Sequence, residues 1–196
     1  MILFFDTETT GFVDERMPLD HECQPHIVQI AAQLCDDTER VVAGFSLIVD
    51  PGIGEGVPIP EKAAAIHGIT NEVAAEFGVS LASALSMFSH FYQCCDLIVA
   101  HNIKFDKAVI EIAIARHYGR SKALTKPTFC TMEAAAPIVN LPPTQRMLDA
   151  GIRKPKAPKL EECVRHFFAE SLDGAHDAMV DVNACRRIYF RMKAAA

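Results

Sequence analysis

Three short segments carry side chains whose types and spacing could do chemistry. Phe5-Asp6-Thr7-Glu8-Thr9-Thr10-Gly11 closes an apolar run with two carboxylates. Asp6 and Glu8 stand at i and i+2, so on an extended strand both point to one side. Acids that close repel unless a cation lies between them, and hard oxygen ligands suit Mg²⁺ or Mn²⁺. Two solvated acids at a strand end would also explain this segment taken alone. In Ala100-His101-Asn102-Ile103-Lys104-Phe105-Asp106 a buried strand runs into a helix whose first turn holds Asp106. A favourable helix dipole explains Asp106 equally well there, and His101 and Asn102 could equally be satisfied polar residues. The third segment is His176-Asp177-Ala178-Met179-Val180-Asp181. Five helical residues rotate about 500°, leaving roughly 140° between His176 and Asp181. The two converge only if His176 sits at or before the helix start, which Gly174 just upstream permits. Asp181 lies on an otherwise apolar helical face and needs a partner or a metal, whereas Asp177 stands where a cap is expected.

The elements that must hold these groups follow from periodicity. Ile2–Phe5 reads as a first strand, and residues 11–26 as a loop. Ile27–Leu34 and Val41–Val49 are β-branched runs split by Asp36-Asp37-Thr38, as expected of neighbouring antiparallel strands. Residues 51–60 form a Gly- and Pro-rich loop, and Pro60-Glu61 opens a short helix. Residues 79–94 show helical spacing, Leu97–Ala100 is a buried strand, and Lys104–His117 an amphipathic helix. Thr128–Thr131 reads as an edge strand, 140–159 as a long Pro- and Lys-rich surface loop, and 160–169 and 177–193 as helices. A strand meander followed by strand–helix alternation predicts an α/β fold, a mixed sheet flanked by helices. Residues 1–196 read as a single domain with no linker or repeat.

A composition of 50% hydrophobic and 22% charged residues excludes intrinsic disorder, collagen-like repeats and a disulfide-dense miniprotein. No uncharged apolar run approaches the roughly 18 residues of a membrane span, and Asp6 cuts the MILFF opening too short for a secretory signal. The net charge of −6 argues against a nonspecific polyanion binder. Its distribution is more informative. Residues 1–100 hold 15 acids against Arg16, Arg40 and Lys62, a balance of −12, while residues 101–196 hold a balance of +6. That division permits an acidic centre beside a basic flank, with substrate expected to approach from the side of residues 101–196. Seven cysteines with no CxxC pair read as mostly buried thiols of a reducing, cytoplasmic compartment. His21-x-Cys23-xx-His26 has metal-like spacing but no evident fourth ligand, and reads as a polar loop.

Taken in order, the three segments resemble the DEDDh 3′→5′ exonucleases, the superfamily that includes the proofreading subunit of bacterial DNA polymerase III. Its Asp-x-Glu-x-Thr-Gly motif stands here as Asp6 to Gly11, His-Asn-x-x-Phe-Asp as His101 to Asp106, and His-x4-Asp as His176 to Asp181. The superfamily's apolar-His-Gly segment appears as Ile66-His67-Gly68. The resemblance spans residues 1–190 and implies a ribonuclease H-like fold with stepwise removal of nucleoside monophosphates from a 3′ end. It further implies that Asp6, Glu8, Asp106 and Asp181 hold two divalent ions, with Asp6 between them, and that His176 is the general base. Paired ions roughly 3.5–4 Å apart can serve both the attacking water and the leaving oxygen, and a histidine can take a proton at neutral pH.

For substrate grip the resemblance implies the backbone around Thr7, Thr9 and Gly11 with Ile66, His67, His101, Asn102 and Phe105. Ile66 and Phe105 could instead be core residues. Arg153, Lys154, Lys156 and Lys159, with Arg146 nearby, are candidate phosphate contacts; a solvated linker or a polymerase-docking segment would also account for them. The expected partner is single-stranded or 3′-terminal DNA, with an exoribonuclease of the oligoribonuclease or ribonuclease T kind as the alternative. No polymerase segment accompanies the motifs, so proofreading implies a separate polymerase partner. A binding module without catalysis, or a carboxylate-pair glycosidase that survives chelation, are the competing classes.

Overall fold

In the computed structural model, which describes residues 1–195, β1 (Ile2–Thr9), β2 (Ile27–Cys35) and β3 (Val41–Ile48) form an antiparallel meander. β4 (Leu97–Ala100) and β5 (Thr128–Cys130) add in parallel, giving the order β3-β2-β1-β4-β5. The helices are α1 (Glu61–His67), α2 (Asn71–Phe77), α3 (Leu81–Cys94), α4 (Ile103–Tyr118), α5 (Thr131–Val139), α6 (Gln145–Asp149), α7 (Leu160–Phe168) and α8 (Ala178–Ala194).

The central strand β1 is covered on both faces, and its alternation decides where the acids point. Leu3 and Phe5 pack into a cluster with α3 and α4, with Phe5 edge-on to Phe88 at 5.3 Å. Phe4 turns to the opposite face, into a cluster with Ala178, Val182 and Cys185 of α8, and meets Tyr189 at 5.4 Å. Burying each such aromatic contributes about 1.5–3 kcal/mol. Asp6 and Glu8 follow Phe4 in phase and therefore face α8, the helix that carries Asp181.

β2 is buried along its whole length, yet it carries Gln29 and Gln33. Their amides clamp α8 to the sheet. Gln29 accepts the Ala178 N–H at 3.1 Å and donates to Asp177 at 3.2 Å, and Gln33 donates to Asn183 at 2.9 Å.

Four features differ from the sequence expectation. β1 runs on to Thr9, because β2 pairs with it that far. α2 and α5 lie in segments not read as helices: α2 is only seven residues, capped by Thr70, and α5 contains Pro137, ordinarily a helix breaker. The 140–159 loop contains α6, capped by Thr144. Four of the seven thiols are buried, whereas Cys23 and Cys94 are exposed. The His21–Cys23–His26 segment forms no metal-ligating group among the described residues; His21 Nδ1 accepts the Cys23 N–H instead. Among the described residues no helix is long and apolar enough to cross a membrane.

Candidate active site

The acids meet where β1 outruns β4. The last β4 partner of β1 is Val99, opposite Phe4, so the β4-facing edge of β1 beyond it lacks a strand neighbour. Asp106, buried in the first turn of α4, fills that gap: its Oδ1 accepts the Thr7 N–H at 3.0 Å and the Thr7 hydroxyl at 2.8 Å. The Thr7 hydroxyl is thus committed inside the protein rather than free for substrate.

From the other side α8 delivers Asp181. His176 precedes the helix in a left-handed conformation (φ 68°), and Asp177 caps it through the N–H groups of Met179 and Val180. This turn brings the His176 N–H to Asp181 Oδ2 at 3.3 Å, closing the 140° gap. One ligand atom each from Glu8, His176 and Asp181 lies within 4.8 Å of the others. Asp181 Oδ1 is buried without a hydrogen-bond donor.

The electrostatics are those of a site short of positive charge. Burial, then the fields of Asp106, Asp181 and Glu8, push the Asp6 carboxyl well above the usual range. Burial, aided by Asp181 and Asp106, raises Glu8 to about 8. Burial raises Asp106 to about 7 against the pull of the Thr7 donors, and raises Asp181 to about 6 against the His176 N–H. A cluster of oxygen donors, one buried and unpartnered, fits a hard divalent cation better than any internal cation on offer. The cations beside the motifs are spent elsewhere: Lys104 on Glu15 at 2.6 Å, Lys107 on Glu111 at 2.8 Å, Arg187 on Glu170 at 2.9 Å, and Arg186 on Gln33 at 3.1 Å.

A cleft of about 340 Å³ opens beside Glu8 and His176, lined by Thr7 to Phe12, Pro60, Lys62, Ala63, Ile66, His67 and Phe105. Most of this lining comes from residues 7–67, with Phe105 and His176 contributed by the basic half of the chain. Ile66 is 55% exposed and is not core. Phe105 lines the cleft while packing partly against the core. His67 Nδ1 accepts the Ile69 N–H at 3.1 Å, leaving Nε2 buried without a partner. Burial and the neighbouring His176 hold the His67 pKa down. Thr9 and Gly11 line the cleft, with the Thr9 hydroxyl donating to the Gly11 carbonyl.

Two candidates lie off the cleft. His101 is sequestered: Nδ1 meets the Thr131 hydroxyl at 3.0 Å and Nε2 the Pro158 carbonyl at 3.1 Å, leaving no ring nitrogen for a nucleotide. It is the satisfied polar residue. Asn102, left-handed at φ 70°, borders a separate cleft of about 300 Å³ on the far side of Phe12 and Phe105. Of the candidate phosphate contacts, Lys156 is bound to Glu162 at 2.7 Å and Lys159 lies 3.6 Å from Glu161, while Arg153 and Lys154 are exposed and form no ion pair among the described residues.

Sequence reasoning passed over Phe12 and Lys62. Phe12 is 88% exposed beside the cleft, and an apolar residue directly after the Thr-Gly of the first motif was its only signal. Lys62 is the one lysine or arginine in the lining among the described residues.

A mixed five-stranded sheet flanked by helices, with acids gathered at the end of its central strand, is the ribonuclease H-like fold. Residues 3–189 match the model of the RNase_T exonuclease family, and the chain belongs to that family, within the DEDDh-type superfamily. Its fold is similar to Escherichia coli exonuclease I in complex with a dA16 oligonucleotide (TM-score 0.76, 22% identity, 98% of this chain and 40% of that one). It is similar also to the zinc-bound form of the E. coli exonuclease I–ssDNA complex (0.76, 20%, 99% and 40%). A third likeness is to exonuclease I from Methylocaldum szegediense (0.72, 21%, 98% and 40%). The chain thus spans about 40% of the length of these proteins. No curated protein matches it.

Proposed function

We propose that the chain is a metal-dependent 3′→5′ exonuclease that shortens single-stranded DNA to nucleoside monophosphates. The observation that carries this reading is the convergence of Asp6, Glu8, Asp106 and Asp181, with raised carboxyl pKa values and an unpartnered buried oxygen, beside a nucleotide-sized cleft that Glu8 and His176 line. The DNA preference is supported by the similar exonuclease I structures holding dA16 and dT13 oligonucleotides.

Asp6, Glu8, Asp106 and Asp181 would hold two divalent ions, Mg²⁺ or Mn²⁺. When bound, such a pair promotes attack by water and stabilises the leaving 3′ oxygen. Phe12, Ile66 and Phe105 receive the terminal base and sugar, and His67 Nε2 donates to a substrate oxygen. His176, exposed beside the half-buried Glu8 and Asp181, accepts the proton of the attacking water as its oxygen bonds to phosphorus. The bond from phosphorus to the 3′ oxygen of the preceding residue breaks, and that oxygen takes a proton from solvent.

Digestion of end-labelled single-stranded, duplex and mismatched DNA alongside RNA tests the reading. Stepwise shortening of single-stranded DNA that stops on chelation is expected. Activity that survives chelation overturns the metal assignment, and degradation of RNA alone overturns the substrate.

A further inference from the structure

The segment 140–159 is an ordered structure fastened to the edge of the active site. The Lys156 N–H donates to the Leu141 carbonyl at 3.2 Å, tying its two ends together. Lys156 holds Glu162 at 2.7 and 2.8 Å, and Glu162 in turn accepts the Lys159 N–H at the start of α7. Pro158 is buried, and its carbonyl lies 3.1 Å from His101 Nε2, five residues before Asp106. This excursion presents Arg146, Arg153 and Lys154, all exposed and none ion-paired among the described residues, interleaved with the exposed apolar Leu148 and Ile152.

Sheet order fixes where that surface lies. The cleft for the terminal nucleotide is lined by α1, which packs against Val28 of β2, and by Phe105, whereas His101 follows β4, the neighbour of β1 on the side away from β2. A strand whose end fills the cleft and whose scissile phosphate lies over the acids of β1 continues past β4. Among the described residues the 300 Å³ cleft beyond Phe12 offers no free cation to an alternative path, because Lys104 is paired with Glu15, and Arg16 beside the cleft with Asp14.

We propose that residues 140–159 form a track for the upstream part of a single-stranded polynucleotide, with Arg146, Arg153 and Lys154 on its phosphates, and that His101 is the positioning residue that fixes the track to the site. This rests on the exonuclease reading for the location of the strand's end. Free cations alternating with apolar side chains suit a single strand, whose phosphates and unpaired bases are both accessible. A duplex would bury those base faces.

The test is length dependence. Arg153→Glu with Lys154→Glu changes only exposed side chains. It should weaken binding of a labelled twelve-nucleotide strand, read by anisotropy in chelator, by roughly tenfold, and lower the salt slope by about 1.4, given about 0.7 per phosphate contact on single strands. In Mg²⁺ the KM for that strand should rise far more than the KM for a trinucleotide. His101→Ala should raise the same KM without an equal fall in kcat, and His101→Gln, which retains a donor for Pro158, should recover part of it. Unchanged binding of the long strand by the charge-reversed protein, or equal losses on both lengths, overturns the track. Wild-type protein that binds the long strand with this charge dependence yet releases no mononucleotide supports the track and overturns the exonuclease reading instead.

Discussion

Asp106 accepts two hydrogen bonds from Thr7, one from its backbone N–H at 3.0 Å and one from its hydroxyl at 2.8 Å, 99 residues away in the chain. This pair joins the first acidic segment to the second, and it exists because β4 stops pairing before Thr7. Thr7→Val should remove one of the two donors that favour the ionised carboxylate. We expect a loss of about 1–3 kcal/mol in stability, read from the denaturant midpoint, with a fall in kcat. Thr7→Ser should recover most of both.

Chelator should make stability depend on pH with a definite sign. Above pH 6.5 the unfolded chain has lost its carboxyl protons, while the folded protein retains them on Asp106 and Glu8, whose pKa values are about 7 and 8. The folded state binds more protons there, so its stability falls as pH rises toward 8.5. Below pH 6.5 a second effect opposes it, because burial holds His26 and His101 near 4 and acidification charges them preferentially in the unfolded chain. Thermal unfolding in EDTA should show Tm falling from pH 6.5 to 8.5, and Mg²⁺ should raise Tm more at the upper end.

Phe12 is 88% exposed, so its removal costs the fold little. If it stacks on a substrate base, Phe12→Ala should raise KM by about 5- to 150-fold, the equivalent of roughly 1–3 kcal/mol per stacked base. Tm should stay within a degree or two. An unchanged KM would remove Phe12 from the substrate site.

Gln29 holds the first turn of α8 through Ala178 and Asp177. Gln29→Leu keeps the volume and leaves the buried Ala178 N–H unpaired. It should lower stability by about 1–3 kcal/mol and reduce kcat through displacement of Asp181. Stability lost with kcat intact would show that the clamp does not set the site.

Much of this arrangement was legible in the sequence because short-range periodicity carries it. The i, i+2 phase of Asp6 and Glu8 already placed both on one face, and the rotation between His176 and Asp181 required a break ahead of α8, found at φ 68°. What escaped depends on contacts distant in the chain. His101 has the same local pattern whether it faces a substrate or a proline carbonyl 57 residues on. Lys104, Lys107 and Arg187 count toward the basic balance of residues 101–196, yet each is paired with an acid, Glu15, Glu111 and Glu170 in turn. α5 contains Pro137, ordinarily a helix breaker, and nothing in the local pattern around Phe12 marks it as an exposed aromatic beside the cleft.

Release of mononucleotides from a 3′-labelled single-stranded DNA by the Asp6→Ala variant is the most direct measurement. Asp6 lies among the other three acids, so with Mg²⁺ present the rate should fall on the order of a thousandfold or more, in a protein that remains folded by circular dichroism. Release at the wild-type rate would contradict the assignment of these four carboxylates as the metal-holding centre.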